Sequence, residues 1–498
     1  MKKFVFAFAM ALAGISLISA PTLRAQDSDQ ITIKDPAEFN AYQMATTQSD
    51  PKAKAAALES FLTTYPQSVV KSAVLDMLID TYQGLGDQTG ALGAASRMLQ
   101  VDPNNTKAIF ITVYIKKGQC AKTGDPQTCD DAAAMAQKGL TVAKPAKVSD
   151  DDWKKQTSAT YPIFHSTIAL DDMISKYTTK EKQIKSLSDD IQKLETQLKE
   201  QGDKLSDSDR ATLAASIDDK KKQVKSLTDG AASDALAAIS EYRAELMLYT
   251  DAQSQSAGLN DTLLLAQAYS QPGASQDLVQ AIWFYARVWD FAPAQYKAKI
   301  EPDLELYYKK YHGGLDGLDA IKSQAAATTF PPASFTIKLA PTPAEQIHAL
   351  LASTKDWNTL ALADKETVLA VGSKEDADQL WALLKDKPTP VPGVVIEASD
   401  SVVKVAVTDD AKTAKVPDFI VNLKAPATAK EIPAAGAEFG LQAKGQAELD
   451  GVYDSFTRTE ATDAAPASAQ IVLRDGVIVP KKAGVVHKPT PAHRAAAH

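Results

Sequence analysis

The 498-residue chain holds two cysteines, Cys120 and Cys129, and six histidines. Two thiols exclude a disulfide-framework scaffold and a four-cysteine zinc site, and six histidines leave little material for a metalloenzyme. Positive charge is also short. Lys and Arg number 54 against 62 Asp and Glu, a net charge of −8, which argues against a nucleic-acid surface spread over the chain. HExxH, Walker, GxSxG and glycine-fingerprint motifs are all missing, so no catalysis and no cofactor are expected. His165 lies on a helical face and reads as a packing or hydrogen-bonding residue; His312, before Gly313-Gly314, marks a helix end. What is present is ordinary for globular protein, with 45% hydrophobic and 23% charged residues, and a length that suits about three domains.

The first 25 residues stand apart. Met1-Lys2-Lys3 is a short basic region, Phe4–Ala20 an apolar run, and Leu23-Arg24-Ala25 offers a small residue for cleavage before Gln26. This is the layout of a secretory signal peptide, with an uncleaved anchor as the alternative, since the run is marginal for the ~20 residues of a membrane span. Its removal leaves 51 basic against 62 acidic residues, a net −11. No later stretch is apolar enough to span a bilayer, so the expected product is exported, periplasmic or secreted. In an oxidising compartment Cys120 and Cys129, in a polar segment with turn residues, should pair.

Helical spacing dominates from Ser72. Leu75, Leu78, Ile79 and Tyr82 form one stripe, Gly86 breaks the helix, and Ala91, Leu92, Ala95, Met98 and Leu99 form the next, closed by Pro103. Tyr82, Gly86, Ala91 and Pro103 in this order resemble the tetratricopeptide repeat (TPR), a helix–turn–helix unit of about 34 residues; Ile79 and Ala95 depart from its usual small and aromatic residues. Further copies are expected at Ala37–Pro66, at Thr106–Val142 with the cysteine loop between its helices, at Leu259–Pro293, and in a Tyr-rich pair over 298–326. Tyr82, Tyr269, Tyr285 and Trp289 read as packing residues. A repeat split by an insertion pairs Tyr161–Tyr177 with Ala235–Leu248. Between them Ile184, Leu187, Ile191, Leu194 and Leu198, then Leu213, Ile217, Val224 and Leu227, form a heptad seam broken at Gly202-Asp203. The expectation is an antiparallel coiled-coil hairpin with arms about 30 Å long, acting as a spacer, a docking rod or a site of pairing with another chain.

After Gly393 the apolar period becomes two, in Val394–Ile396, Val402–Val407, Phe419–Leu423, Phe439–Ala443 and Ile471–Leu473. The fold expected is therefore mainly α, a TPR-type solenoid with an inserted hairpin, plus a small C-terminal all-β domain, OB-like or a small sandwich. The boundaries are 1–25 signal peptide, 26–327 solenoid, 179–228 hairpin, 328–390 linker and short helices, 391–480 β domain, and 481–498 disordered tail. Tyr453 and Phe456 read as core residues of the β domain.

The resemblance implies an adaptor that binds a peptide or protein segment on the face built from the first helix of each pair. It maps that groove to Asp76, Asp80 and Gln83, to Lys107, Phe110, Tyr114 and Lys117, and to Asn260, Leu263 and Gln267. Asp76 and Asp80 stand where chaperone-binding relatives carry a Lys/Asn carboxylate clamp, so a mixed or basic segment is the expected ligand. The alternatives are a structural envelope component working through the hairpin, and glycan binding by the β domain.

Overall fold

The computed structural model describes residues 32–201, 204–440, 447–461 and 467–480. The expected signal peptide, the tail and positions 441–443 lie outside the described residues. The chain divides into two units at Leu339–Ala340, and each is taken by itself.

In the first unit, helices begin where the sequence supplies a cap. Asp35, Asp50 and Asp125 each precede a proline and accept the backbone N–H of Ala37, Ala53 and Thr128, satisfying donors that a first turn leaves free. Helices α1 (Pro36–Thr46), α2 (Pro51–Thr64), α3 (Lys71–Gly84), α4 (Gln88–Val101), α5 (Thr106–Thr123) and α6 (Pro126–Thr141) follow, each packed on the next. The apolar stripes of α1–α5 share one core containing Leu58, Phe61, Leu75, Leu78, Ile79, Ala95, Met98 and Ile111, while Ala133 and Ala136 of α6 join a second one with Phe164 of the following helix. Helices α3 and α4 approach closely at Gly90, where a Cβ would stand 2.5 Å from the Tyr82 ring. Tyr82 donates its hydroxyl to Glu59 at 3.1 Å, and Arg97 grips the same carboxylate with bonds of 2.6 and 2.7 Å. Those Arg97 bonds hold the Glu59 carboxyl below its usual range and tie α2, α3 and α4 together.

Cys120 and Cys129 lie at disulfide distance, their Cα atoms 4.9 Å apart. The expected loop around them is corrected: Cys120 lies inside α5 and Cys129 inside α6, both buried against Leu170. Only Gly124 and Asp125 leave the helices. Gly124, at φ 62°, ends α5 in the left-handed conformation that glycine adopts without penalty.

Next come α7 (Asp150–Leu170), a π-helical segment (Asp171–Tyr177), α8 (Thr178–Gln201) and α9 (Asp207–Leu248). The insertion was expected to sit between separate helices; it prolongs them instead. Helix α7 runs through the π segment into α8, and α9 is one helix of 42 residues. Helix α8 packs along α9, with its five seam residues half-buried and Ile217 of α9 buried. Pairs Lys220–Asp190 at 3.2 Å and Lys221–Glu195 at 2.7 Å fix the register; exposed pairs of this kind add little stability. At the base Lys180 pairs with Asp234.

Helices α10 (Asp251–Ser254), α11 (Leu259–Ser270), α12 (Leu278–Phe291), α13 (Ala294–His312) and α14 (Leu318–Ala327) complete this unit. Their core includes Tyr242, Ala266, Trp283, Phe284, Tyr285 and Leu304. Tyr269 stacks on Phe284 and Tyr285 on Tyr307. The ammonium groups of Lys297 and Lys322 lie 4.4 and 3.9 Å from the Trp289 ring centre, so these aromatics serve packing. His312 is the last residue of α13.

The second unit contains α15 (Pro343–Ser353), α16 (Leu362–Val371), α17 (Lys374–Leu384), β1 (Pro388–Pro390), β2 (Gly393–Ala398), β3 (Val402–Ala406), α18 (Asp409–Ala414), β4 (Phe419–Leu423), β5 (Glu438–Phe439), β6 (Glu448–Thr459) and β7 (Ser468–Val479). The strands form one curled sheet, a half-barrel, in the order β1-β6-β7-β4-β3-β2-β5. All pairs are antiparallel except β4 with β7. The sheet is therefore mixed, and among the described residues it is neither a closed OB-like barrel nor a two-sheet sandwich. The all-β expectation is corrected too: Val368, Leu369, Leu380 and Leu384 of α16 and α17 share one core with Val403, Phe419, Val421, Ile471 and Leu473 of the sheet. Tyr453 is buried, and Phe456 packs on Trp381 with ring centroids 4.8 Å apart. The edges are blunt, since β1 carries two prolines and β5 has two residues.

Glu366 of α16 is buried against this sheet and accepts the Ala469 N–H at 2.7 Å. Burial, with smaller contributions from Asp418 and Asp410, pushes its carboxyl up from 4.5 to about 7. The folded unit thus holds this proton more tightly than the unfolded chain does. Stability from this group falls as pH rises from about 4.5 to about 7 and levels off above. Glu366→Gln removes that slope. Thermal melts at pH 5 and pH 8 should show the variant gaining on the parent at the higher pH; an unchanged difference would contradict the assignment.

Candidate functional site

Helix α3 ends its exposed side in Asp76, Asp80 and Gln83, one turn apart, and α5 lies beside it. The structure brings the acids and the first predicted base together. Lys107 places its Nζ 2.9 Å from Asp76 and 2.7 Å from Asp80. The two carboxylates are therefore partly neutralised within the protein, while Gln83 remains exposed. One turn on from Lys107, Phe110 and then Tyr114 occupy the same side of α5. Both are half-buried, their ring centroids 5.9 Å apart. Both rings pack in part on the cores beneath, Phe110 against the clusters of Ile111 and of Ile109 and Val113, and Tyr114 against that of Ile111, and each keeps part of its surface exposed. An aromatic pair beside an acid–base cluster is a surface on which an extended segment can lay apolar side chains and pair its charges.

The remaining predicted positions separate from this face. Lys117 turns inward: its Nζ bonds the Ser166 hydroxyl of α7 and lies 3.4 Å from Asp261 of α11. Leu263 is buried in the helical core and is withdrawn as a groove residue. Its neighbours toward Leu259 and Ser270 fill that core, so the outward register assumed for α11 fails at this position. Asn260 is half-buried and bonds Asp261 at 3.3 Å. Half-buried Gln267 offers its carbonyl to Gln271 at 2.9 Å.

Three polar features lie outside these positions, the first of them a hydrogen bond of His165, which the sequence marks as a packing or hydrogen-bonding residue. His165 bonds Glu241 at 2.6 Å, linking α7 to α9. Asp171 and Asp172 of the π segment are buried and share Lys176, at 2.9 and 2.7 Å; burial raises both carboxyls. Glu245 and Arg287 are buried charged residues, Arg287 in the apolar helix α12 and Glu245 near the C-terminal end of α9. The signal for Arg287 was visible, a lone cation in the run IWFYARVWDF. Glu245 gave a weaker one, because α9 is polar over much of its length.

Among the described residues, no cluster of three or more His, Cys, Asp or Glu side chains has the geometry to hold a metal ion, and no helix is long and apolar enough to cross a membrane. No protein-family model matches the chain, and no curated protein matches it.

Proposed function

We propose that the chain is an exported, non-catalytic scaffold whose helical unit is a TPR-type solenoid, and that the α3–α5 face binds a segment of a partner protein. The observation that carries this reading is the Phe110–Tyr114 pair, half-exposed beside the Asp76–Lys107–Asp80 cluster. Repeated helix pairs support the solenoid, and the N-terminal sequence supports export. The partner segment is mixed or basic, because the outermost groups of the face are the two aspartates and Gln83. Asp76→Lys with Asp80→Lys leaves three cations together and should weaken capture of the partner at least about tenfold, because reversed charges repel a mixed or basic segment. Unchanged capture, measured with purified partner in a pull-down titration, would remove α3 from the site.

A second reading makes the hairpin the working element. Its specific support is continuity: α9 passes from the helical core into the arm without a break. Replacing Thr179–Thr228 by a short turn separates the two readings. Loss of assembly with binding at α3–α5 intact favours the arm; intact assembly favours the face.

A further inference from the structure

We propose that the meeting point of α5, α7, α9 and α11 is a pH-sensitive clasp, in which the buried Glu245, with one carboxyl oxygen unpartnered, faces Asp261 of α11 and the junction loosens as pH rises. This proposal does not depend on the binding face.

Glu245 is 1% exposed, and its Oε2 has no hydrogen-bond partner among the described residues. Every element packed around it supplies a polar group. Asp261 of α11, itself 6% exposed, lies beside it and is braced by Asn260. Lys117 of α5 approaches Asp261 at 3.4 Å while bonding Ser166 of α7. Along α9 itself, the Tyr249 hydroxyl reaches Glu245, and the wholly buried Tyr242 hydroxyl has no hydrogen-bond partner. Asp172 of the π segment acts on Tyr242 from the other side.

The charge count decides the protonation state. Two carboxylates and one ammonium leave a net negative charge in a site closed to water, which is strongly unfavourable. One proton on Glu245 brings the site to neutrality and supplies an O–H that can donate to Asp261, as carboxyl pairs at close range do. Burial first, then the charge of Asp261, pushes the Glu245 carboxyl well above its ordinary range. The two large apolar cores of the first unit, one over α1–α5 and the other over α9–α14, are separate clusters. Deprotonation sets like charges across the α9–α11 contact.

The test uses the full chain carrying Glu366→Gln, which silences the titration in the second unit. Folding favours the protonated form of Glu245, so stability falls as pH rises above the ordinary glutamate range. Glu245→Gln should therefore gain at least about 3 °C in melting temperature relative to this parent between pH 5 and pH 8. Infrared difference spectra should show a protonated carboxyl band at neutral pH that Glu245→Gln abolishes. Should that variant not fold, Asp261→Asn carries the reading, shifting loss of the band downward by about one pH unit or more. A pH-independent melting difference, a missing band at neutral pH, or a band unmoved by Asp261→Asn overturns the proposal.

Discussion

Arg287→Met lowers the stability of the helical unit by about 3–5 kcal/mol, the range for removing one partner from a buried charged network, and its melting temperature by about 10 °C. Arg287 is 0% exposed at the centre of α12. Nη1 donates to the carbonyls of Ala325 and Thr328, both at 2.7 Å, and Nη2 to the Ser254 hydroxyl at 2.7 Å and the Asp251 carbonyl at 3.2 Å. Ala325 lies in the last turn of α14 and Thr328 is its C-cap, so the cation sits at the negative end of that helix. Methionine fills the volume but takes the guanidinium donors from the buried Ala325 carbonyl and from the part-buried Thr328 carbonyl, and backbone carbonyls cannot be removed in compensation. The same network anchors Thr329, which bonds Asp251 through N–H and hydroxyl at 2.9 and 2.6 Å. Arg287→Lys should recover only part of the loss, because one ammonium cannot replace a guanidinium fork spread over two groups of acceptors. Chemical denaturation at neutral pH reads both variants. A loss under about 1 kcal/mol for Arg287→Met would show that the network is not needed.

The second large effect concerns binding. Phe110→Ala with Tyr114→Ala should reduce affinity for the partner by about tenfold to a hundredfold, the scale of aromatic hot spots, with circular dichroism unchanged. Half-buried rings contribute less to folding than the core beneath them, so binding falls well before the fold does. The Asp76–Lys107–Asp80 cluster is solvated at its rim and should govern salt dependence and partner choice more than affinity. A double variant that binds as the parent does would move the site away from α5.

Much of the helical unit was legible because its rules are local. Periods of three and four placed Leu75, Leu78 and Ile79 in the core. The change to polar composition at Thr179 was legible too, but its meaning was not. It marks where a helix leaves the core, not where the helix ends, since nothing local stops α7 at Tyr177 or α9 at Leu227. The cysteines misled for a similar reason. Gly124 and Asp125 are sufficient for the turn, and the polar residues around them continue as helix.

The repeat resemblance implied the candidate positions on α3 and α5, and the structure sets Lys107, Phe110 and Tyr114 on one side of α5. The resemblance failed at Lys117 and Leu263, whose positions depend on partners far away in sequence. Asp261 draws Lys117 inward from 144 residues away, and no period reports that. The sheet shows the same limit. Alternation located β2, β3 and β4, but the parallel pairing of β4 with β7 joins Phe419 to Ile471, 52 residues on, and no local period reports a partner that distant.

The most direct test of the central claim is site-specific photocrosslinking in the exporting cell, with the crosslinker placed at Tyr114, at Asp80 and, as a control on α4, at Gln100. The account predicts that Tyr114 and Asp80 capture the same protein, that Gln100 does not, and that Phe110→Ala abolishes the adduct at Asp80. Capture confined to the hairpin or to Gln100, or an adduct at Asp80 untouched by Phe110→Ala, would contradict it.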